Sequence, residues 1–150
     1  MTNVNSEQSG ETQEKWVPVE GISTPAASAL IVEDRDGLTV TLLFSEIIDG
    51  SHSDLCLKFG HVLAYTVYEE FVHPWPGSEN APRLAGQWEN YVYPLLQIRD
   101  STWIGSLENL LFVHPDSIHY RLLTLNQIVD VLCSKPPEAS WIGEGDSKQE

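Results

Sequence analysis

The run SALIVEDRDGLTVTLLF, residues 28–44, constrains the fold more than any other stretch. Leu38, Val40, Leu42 and Phe44 fall on one face of an extended chain and Thr39 and Thr41 on the other, the period-two alternation of a strand with one buried side. A second β-rich run precedes Arg35-Asp36-Gly37, and the glycine can take the positive φ that a short hairpin loop requires. A hairpin here commits the chain to a sheet whose buried face must find a cover.

More strand follows. Across residues 54–71, Leu55, Leu57 and Phe59 alternate with Cys56 and Lys58; beyond Gly60, Leu63, Tyr65 and Val67 alternate with Val62, Ala64, Thr66 and Tyr68. The spacing predicts one strand, or two meeting at Gly60, where a strand glycine marks a bulge or bend. In residues 87–98, QWENYVYPLLQI, Pro94 breaks an otherwise helical stripe, which predicts a short helical turn and then a strand near residues 93–99. Asp100 or Ser101 then caps a helix over residues 102–111, with Ile104, Leu107, Leu110 and Leu111 on its apolar side. Residues 118–133, IHYRLLTLNQIVDVLC, read as a second hairpin turning near residues 125–127; a helix over residues 128–133 is the alternative, and Pro136 and Pro137 stop either element.

Residues 1–15 and 144–150 have too little apolar content to offset the entropy of being ordered, and are expected to be disordered tails. Residues 16–143 then form a single domain of the α+β class, mostly antiparallel sheet with one or two short helices packed on one face. With 41% hydrophobic residues in 150, such a domain can bury a sizeable core.

Composition excludes more than it assigns. A net charge of −14, from 22 acids against eight Lys and Arg, repels a phosphate backbone or an anionic membrane and favours a basic protein partner. Residues 21–134 hold 14 of those acids and five bases, so the charge belongs to the domain and not to its tails. No apolar run is long enough to cross a bilayer and the first residues carry no secretory signal, so a cytoplasmic protein is expected, with Cys56 and Cys133 reduced and buried.

Chemistry is sparsely marked. Glu70-x-x-His73 has the spacing of a helical metal-ligand pair, but strand-forming residues precede it and Pro74 biases His73 away from helix, so a strand end and a loop histidine are expected instead. The histidines at 52, 61, 73, 114 and 119 show no ligand spacing; neither metal nor cofactor is expected. Cys56 with His61, or Cys133 with His119, would give a thiol a base, yet both cysteines sit in strand patterns that bury an inert thiol. Glu69 and Glu70 point to opposite faces of a strand, which gives no acid–base pair.

The aromatic set is more directive. Trp75, Trp88, Tyr91, Tyr93 and Trp103 lie among Glu69, Glu70, Glu79, Glu89 and Asp100, and Trp75 sits between two prolines on a long loop. Trp88 and Trp103 are expected to cap the sheet core, whereas Glu69, Glu70, Trp75 and Glu79 are the expected partner contacts.

Three stretches, FGHVLAYTVYEEF, QIRDSTWI and HYRLLTLNQIVDVLC followed by PP, resemble core signatures of a loose group of small bacterial proteins that includes immunity partners of contact-dependent toxin systems. The resemblance spans roughly residues 54–137 and carries no catalytic motif. It implies an α+β cytosolic protein that works by binding, and it carries over no functional residue. The expectation is therefore a non-enzymatic, immunity-like protein that occludes a basic partner through an acidic, aromatic surface. The alternatives are a small-molecule site or enzyme using His61, His73 or His119, and a homodimer joined through a sheet edge.

Overall fold

The computed structural model describes residues 10–44, 53–69 and 81–143. Among these residues nine strands form two antiparallel sheets. The five-stranded sheet has the order β1 (Thr12–Lys15), β6 (Leu95–Arg99), β7 (Ile118–Leu123), β8 (Gln127–Cys133), β5 (Ala64–Glu69). The four-stranded sheet runs β2 (Ala26–Asp34), β3 (Gly37–Phe44), β4 (Ser53–Gly60), β9 (Glu138–Gly143). Among the described residues, helix is confined to a 3-10 turn, Gly86–Trp88, and two short helices, α1 (Thr102–Ser106) and α2 (Leu110–Val113).

This corrects the α+β expectation. The buried face of one sheet is covered by the other sheet and not by helices: Leu38, Val40, Leu42, Leu55 and Leu57 pack in one cluster with Leu95, Tyr120, Leu122, Val129 and Val131. Each such side chain contributes about 1.5–3 kcal/mol on leaving water, so two facing sheets satisfy the alternation without a helical layer.

Both hairpins form where alternation predicts them. β2 and β3 meet at Arg35-Asp36, with the Asp36 N–H donating to Asp34 Oδ1. Gly37 has φ 111°, and a Cβ there would fall on the backbone of Gly60, so turn geometry and close approach both require glycine. Gly60 ends β4 opposite a register shift in β3, the expected bend. The segment 127–133 is strand and not helix, paired on both sides by β7 and β5.

Three elements differ from expectation. Thr12–Lys15, expected in the disordered tail, is an edge strand on β6, anchored by an Arg99–Glu14 ion pair of 3.0 Å. Glu138–Gly143 was not foreseen as a strand; it closes the second sheet against β4, with Ala139 and Trp141 turned to the core. The helix expected over residues 102–111 breaks after Ser106. There the Ser106 hydroxyl donates to the Trp103 carbonyl, and Leu107 takes φ −98° and ψ 99°. Gly105 and Ser106 are weak helix formers, and a serine that bonds its own backbone competes with the helical ladder. As a result Leu107 and Leu111, expected on the buried stripe, are exposed.

Candidate functional site

Strand alternation gives β7 and β8 an outer face as well as an inner one. Tyr120 and Leu122, with Val129 and Val131 opposite, face the second sheet; His119 and Arg121 therefore project outward, and Asp130 joins them because it pairs with Arg121 across the ladder. All three are buried among the outward-facing Leu96, Ile98 and Leu132.

The three make a compact network. His119 Nε2 and Arg121 Nε each donate to Asp130 Oδ1, both at 2.8 Å. Arg121 Nη1 reaches Gln13 Oε1 on β1 at 3.3 Å, while among the described residues Arg121 Nη2 is buried without a hydrogen-bond acceptor. A carboxylate this deep is held by its partners, since an isolated buried charge is strongly disfavoured.

The network ends at Ser101. Ser101 Oγ lies 2.7 Å from His119 Nδ1 and accepts the Ile104 N–H at 3.0 Å, so it is the helix cap foreseen for that position. With Nε2–H donated to the carboxylate, neutral imidazole leaves Nδ1 free to accept the serine proton. Asp100, just before it, has φ 53°, a left-handed conformation that turns the chain sharply from β6 into α1. Trp103, on the first turn of α1, packs edge-on against the His119 ring at 5.4 Å between centroids. A cleft of about 370 Å³ opens here, lined by Ser101 with Ile98, Arg99, Ile104, Leu111 and Ile118 among others.

The residues singled out from the sequence scatter. Glu69 is exposed at the end of β5; Glu70, His73, Trp75, Glu79 and His52 lie outside the described residues, and with them the Glu70-x-x-His73 question. His61 is exposed on the β4–β5 connection and His114 half-buried after α2, whereas His119 is buried. Trp88 packs on the main core and on Tyr91, 5.7 Å away, as its expected capping role requires. Among the described residues no three His, Cys, Asp or Glu side chains group as a metal site.

Cys133 turns into the core, on the opposite face from His119, and burial pushes its thiol up to about 11. It is protonated at neutral pH and turned away from His119, so the pairing of Cys133 with His119 does not form. Burial likewise pushes the Tyr120 hydroxyl up to about 12, with Cys133 adding to the shift and Arg99 opposing it.

Sequence reasoning passed over Ser101, Arg121 and Asp130 as a group. Part of the signal was available: His119 and Arg121 stand at i and i+2 in one strand of a hairpin, and Asp130 is the one acid in the partner strand.

A second surface stands out beside the cleft. Phe112 is 88% exposed and Val113 61%, with Leu107 and Leu111 also exposed, so four large apolar side chains face outward within residues 107–113. Among the described residues no helix is long and apolar enough to cross a membrane. No family model matches the chain, and neither the curated proteins nor the solved structures contain a match to it.

Proposed function

We propose that this protein works by binding a basic protein partner, occluding it in the manner of an immunity protein in the cytosol. The observation that carries this reading is the exposure of four large apolar side chains, Leu107, Leu111, Phe112 and Val113, on a chain of net charge −14. Contiguous exposed hydrocarbon is disfavoured in water and marks interaction surfaces, and a surplus of acids steers a cationic partner toward it. Phe112 supplies the apolar anchor, and Glu108 and Asp116, both exposed, supply acids close by in the sequence. Glu69, Glu70, Trp75 and Glu79 remain the further contacts assigned from the sequence. A nuclease-type toxin, whose substrate groove is cationic, is the partner class that this chemistry fits.

Affinity capture from the native host tests this with paired baits, the wild type and Phe112→Ser, at low and then moderate salt. One basic protein should be retained by the wild type, wash off as salt rises, and be recovered roughly tenfold less by the variant. Equal retention by both baits, or recovery of the protein alone, would overturn the assignment; the second result would favour a homodimer.

A further inference from the structure

We infer that Ser101 is a nucleophile, paired with His119 and Asp130, that takes the acyl group of small apolar esters entering the cleft beside α1. This goes beyond the binding role and stands apart from it, sharing only Leu111.

Three features on separate elements carry the inference. Ser101 Oγ, His119 and Asp130 form an unbroken relay with steps of 2.7 and 2.8 Å, the order in which a serine hydroxyl is activated. The usual serine-hydrolase arrangement places the carboxylate on Nδ1 and the serine on Nε2; here the nitrogens are exchanged. The chemistry is unaffected, since it requires one nitrogen to accept the proton while the other is held. The left-handed Asp100 sets Ser101 on a sharp strand-to-helix turn, and Ser101 lines a cleft whose walls are Ile98, Ile104, Leu111 and Ile118 together with the polar Gln97, Arg99, Asp100 and Ser117. That volume and the apolar side of the lining suit a short hydrocarbon acyl group, with the polar side left for the ester's oxygens.

In the reaction, Ser101 Oγ forms a bond to the ester carbonyl carbon while its proton passes to His119 Nδ1. Collapse of the tetrahedral adduct breaks the bond to the alcohol oxygen, which leaves with that proton. Water, giving its proton to the same nitrogen, then attacks the acyl-serine; the bond from the acyl carbon to Ser101 Oγ breaks, the serine takes that proton from His119, and the carboxylic acid leaves. Asp130 is a positioning residue: it holds the ring through Nε2 and does not touch the substrate.

The test is labelling of the intact protein with an alkyl fluorophosphonate, in which the serine oxygen displaces fluoride from phosphorus, followed by peptide mapping. One phosphonyl group per chain at Ser101 is expected, with hydrolysis of p-nitrophenyl butyrate blocked in parallel. Ser101→Ala should abolish both, and His119→Gln should slow labelling about 100-fold or more. Asp130→Asn should slow labelling while leaving the KM for the ester unchanged, a split that loosened packing would not give. Mapping of the wild type stands even where a variant fails to fold. Folded wild type that gains no label, label spread over other serines and tyrosines, or Ser101→Ala hydrolysing the ester at the wild-type rate would each overturn the inference.

Discussion

Along β7 and β8 the five-stranded sheet shows two buried faces that alternate residue by residue. Toward the second sheet stand Tyr120, Leu122, Val129 and Val131; away from it stand His119, Arg121 and Asp130. The first face is held by hydrocarbon, whose contribution scales with area and yields by degrees when a side chain is trimmed. The second is held by charge taken out of water, where each group is tolerable only while its partners remain. Burial alone therefore does not say how a face responds to change; the chemistry of what is buried does.

The comparison can be broken at its strongest point. Asp130→Ala leaves Arg121 buried without its carboxylate and should lower unfolding free energy by about 3–5 kcal/mol in a urea titration. Replacing the trio together, as His119→Leu, Arg121→Met and Asp130→Leu, should restore stability to within roughly 1 kcal/mol of the wild type. A single variant as stable as the wild type would show that the outer face is not an all-or-none unit.

Leu122→Ala probes the inner face, where the expected loss is about 2–4 kcal/mol, depending on how far the cavity collapses. Here no second substitution is needed to relieve an orphaned partner.

Alkali sharpens the contrast further. Cys133 and Tyr120, both of the inner face, have folded values of about 11 and about 12, raised above ordinary values of 9.0 and 10.0. The fold holds both protonated, so above pH 9 the unfolded chain releases protons first and stability falls, through pH 11 for the thiol and toward 12 for the phenol. Thermal melts from pH 8 to 12 should show a falling midpoint, and Cys133→Ala should remove the earlier part of the pH dependence.

The smallest effect belongs to the exposed surface. Phe112→Ser should change unfolding free energy by less than about 0.5 kcal/mol, because the ring has almost no contacts to lose. A larger destabilisation would mean that Phe112 serves the fold, and the binding proposal would lose its anchor.

The sequence made the inner face legible because one rule, alternation, governs it. Leu38, Val40, Leu42 and Phe44 declare their side without reference to anything distant, and Gly37 marks the turn. Ser101 was legible as a cap for the same reason, since capping is decided within a few residues. What stayed hidden depends on partners far along the chain. Thr12–Lys15 has the composition of a tail and becomes a strand only because β6 offers it an edge. Glu138–Gly143 has too short an apolar pattern to read as a strand alone, and is fixed by β4. The outer-face network needed the pairing of Arg121 with Asp130 to be known before its charges could be brought together. The contact residues chosen from the aromatic and acidic clustering, apart from Glu69, lie outside the described residues. Leu107 and Leu111 are instead expected on the buried side of a helix over residues 102–111, and the break after Ser106 turns them outward beside Phe112 and Val113, which lie past that expected helix.

The outer pairings of both sheets also set the order in which the molecule can assemble. Thr12 faces Arg99 and Ser53 faces Gly143, so each sheet is completed by a closure that spans most of the chain. The local hairpins gain their contacts early; the two closures must first overcome the entropy of long loops. Folding should accordingly be slow for a domain of this size, on a timescale of roughly milliseconds to seconds. During synthesis β4 must wait for residue 143, and until then its open edge is a surface for a chaperone or for another nascent chain to find.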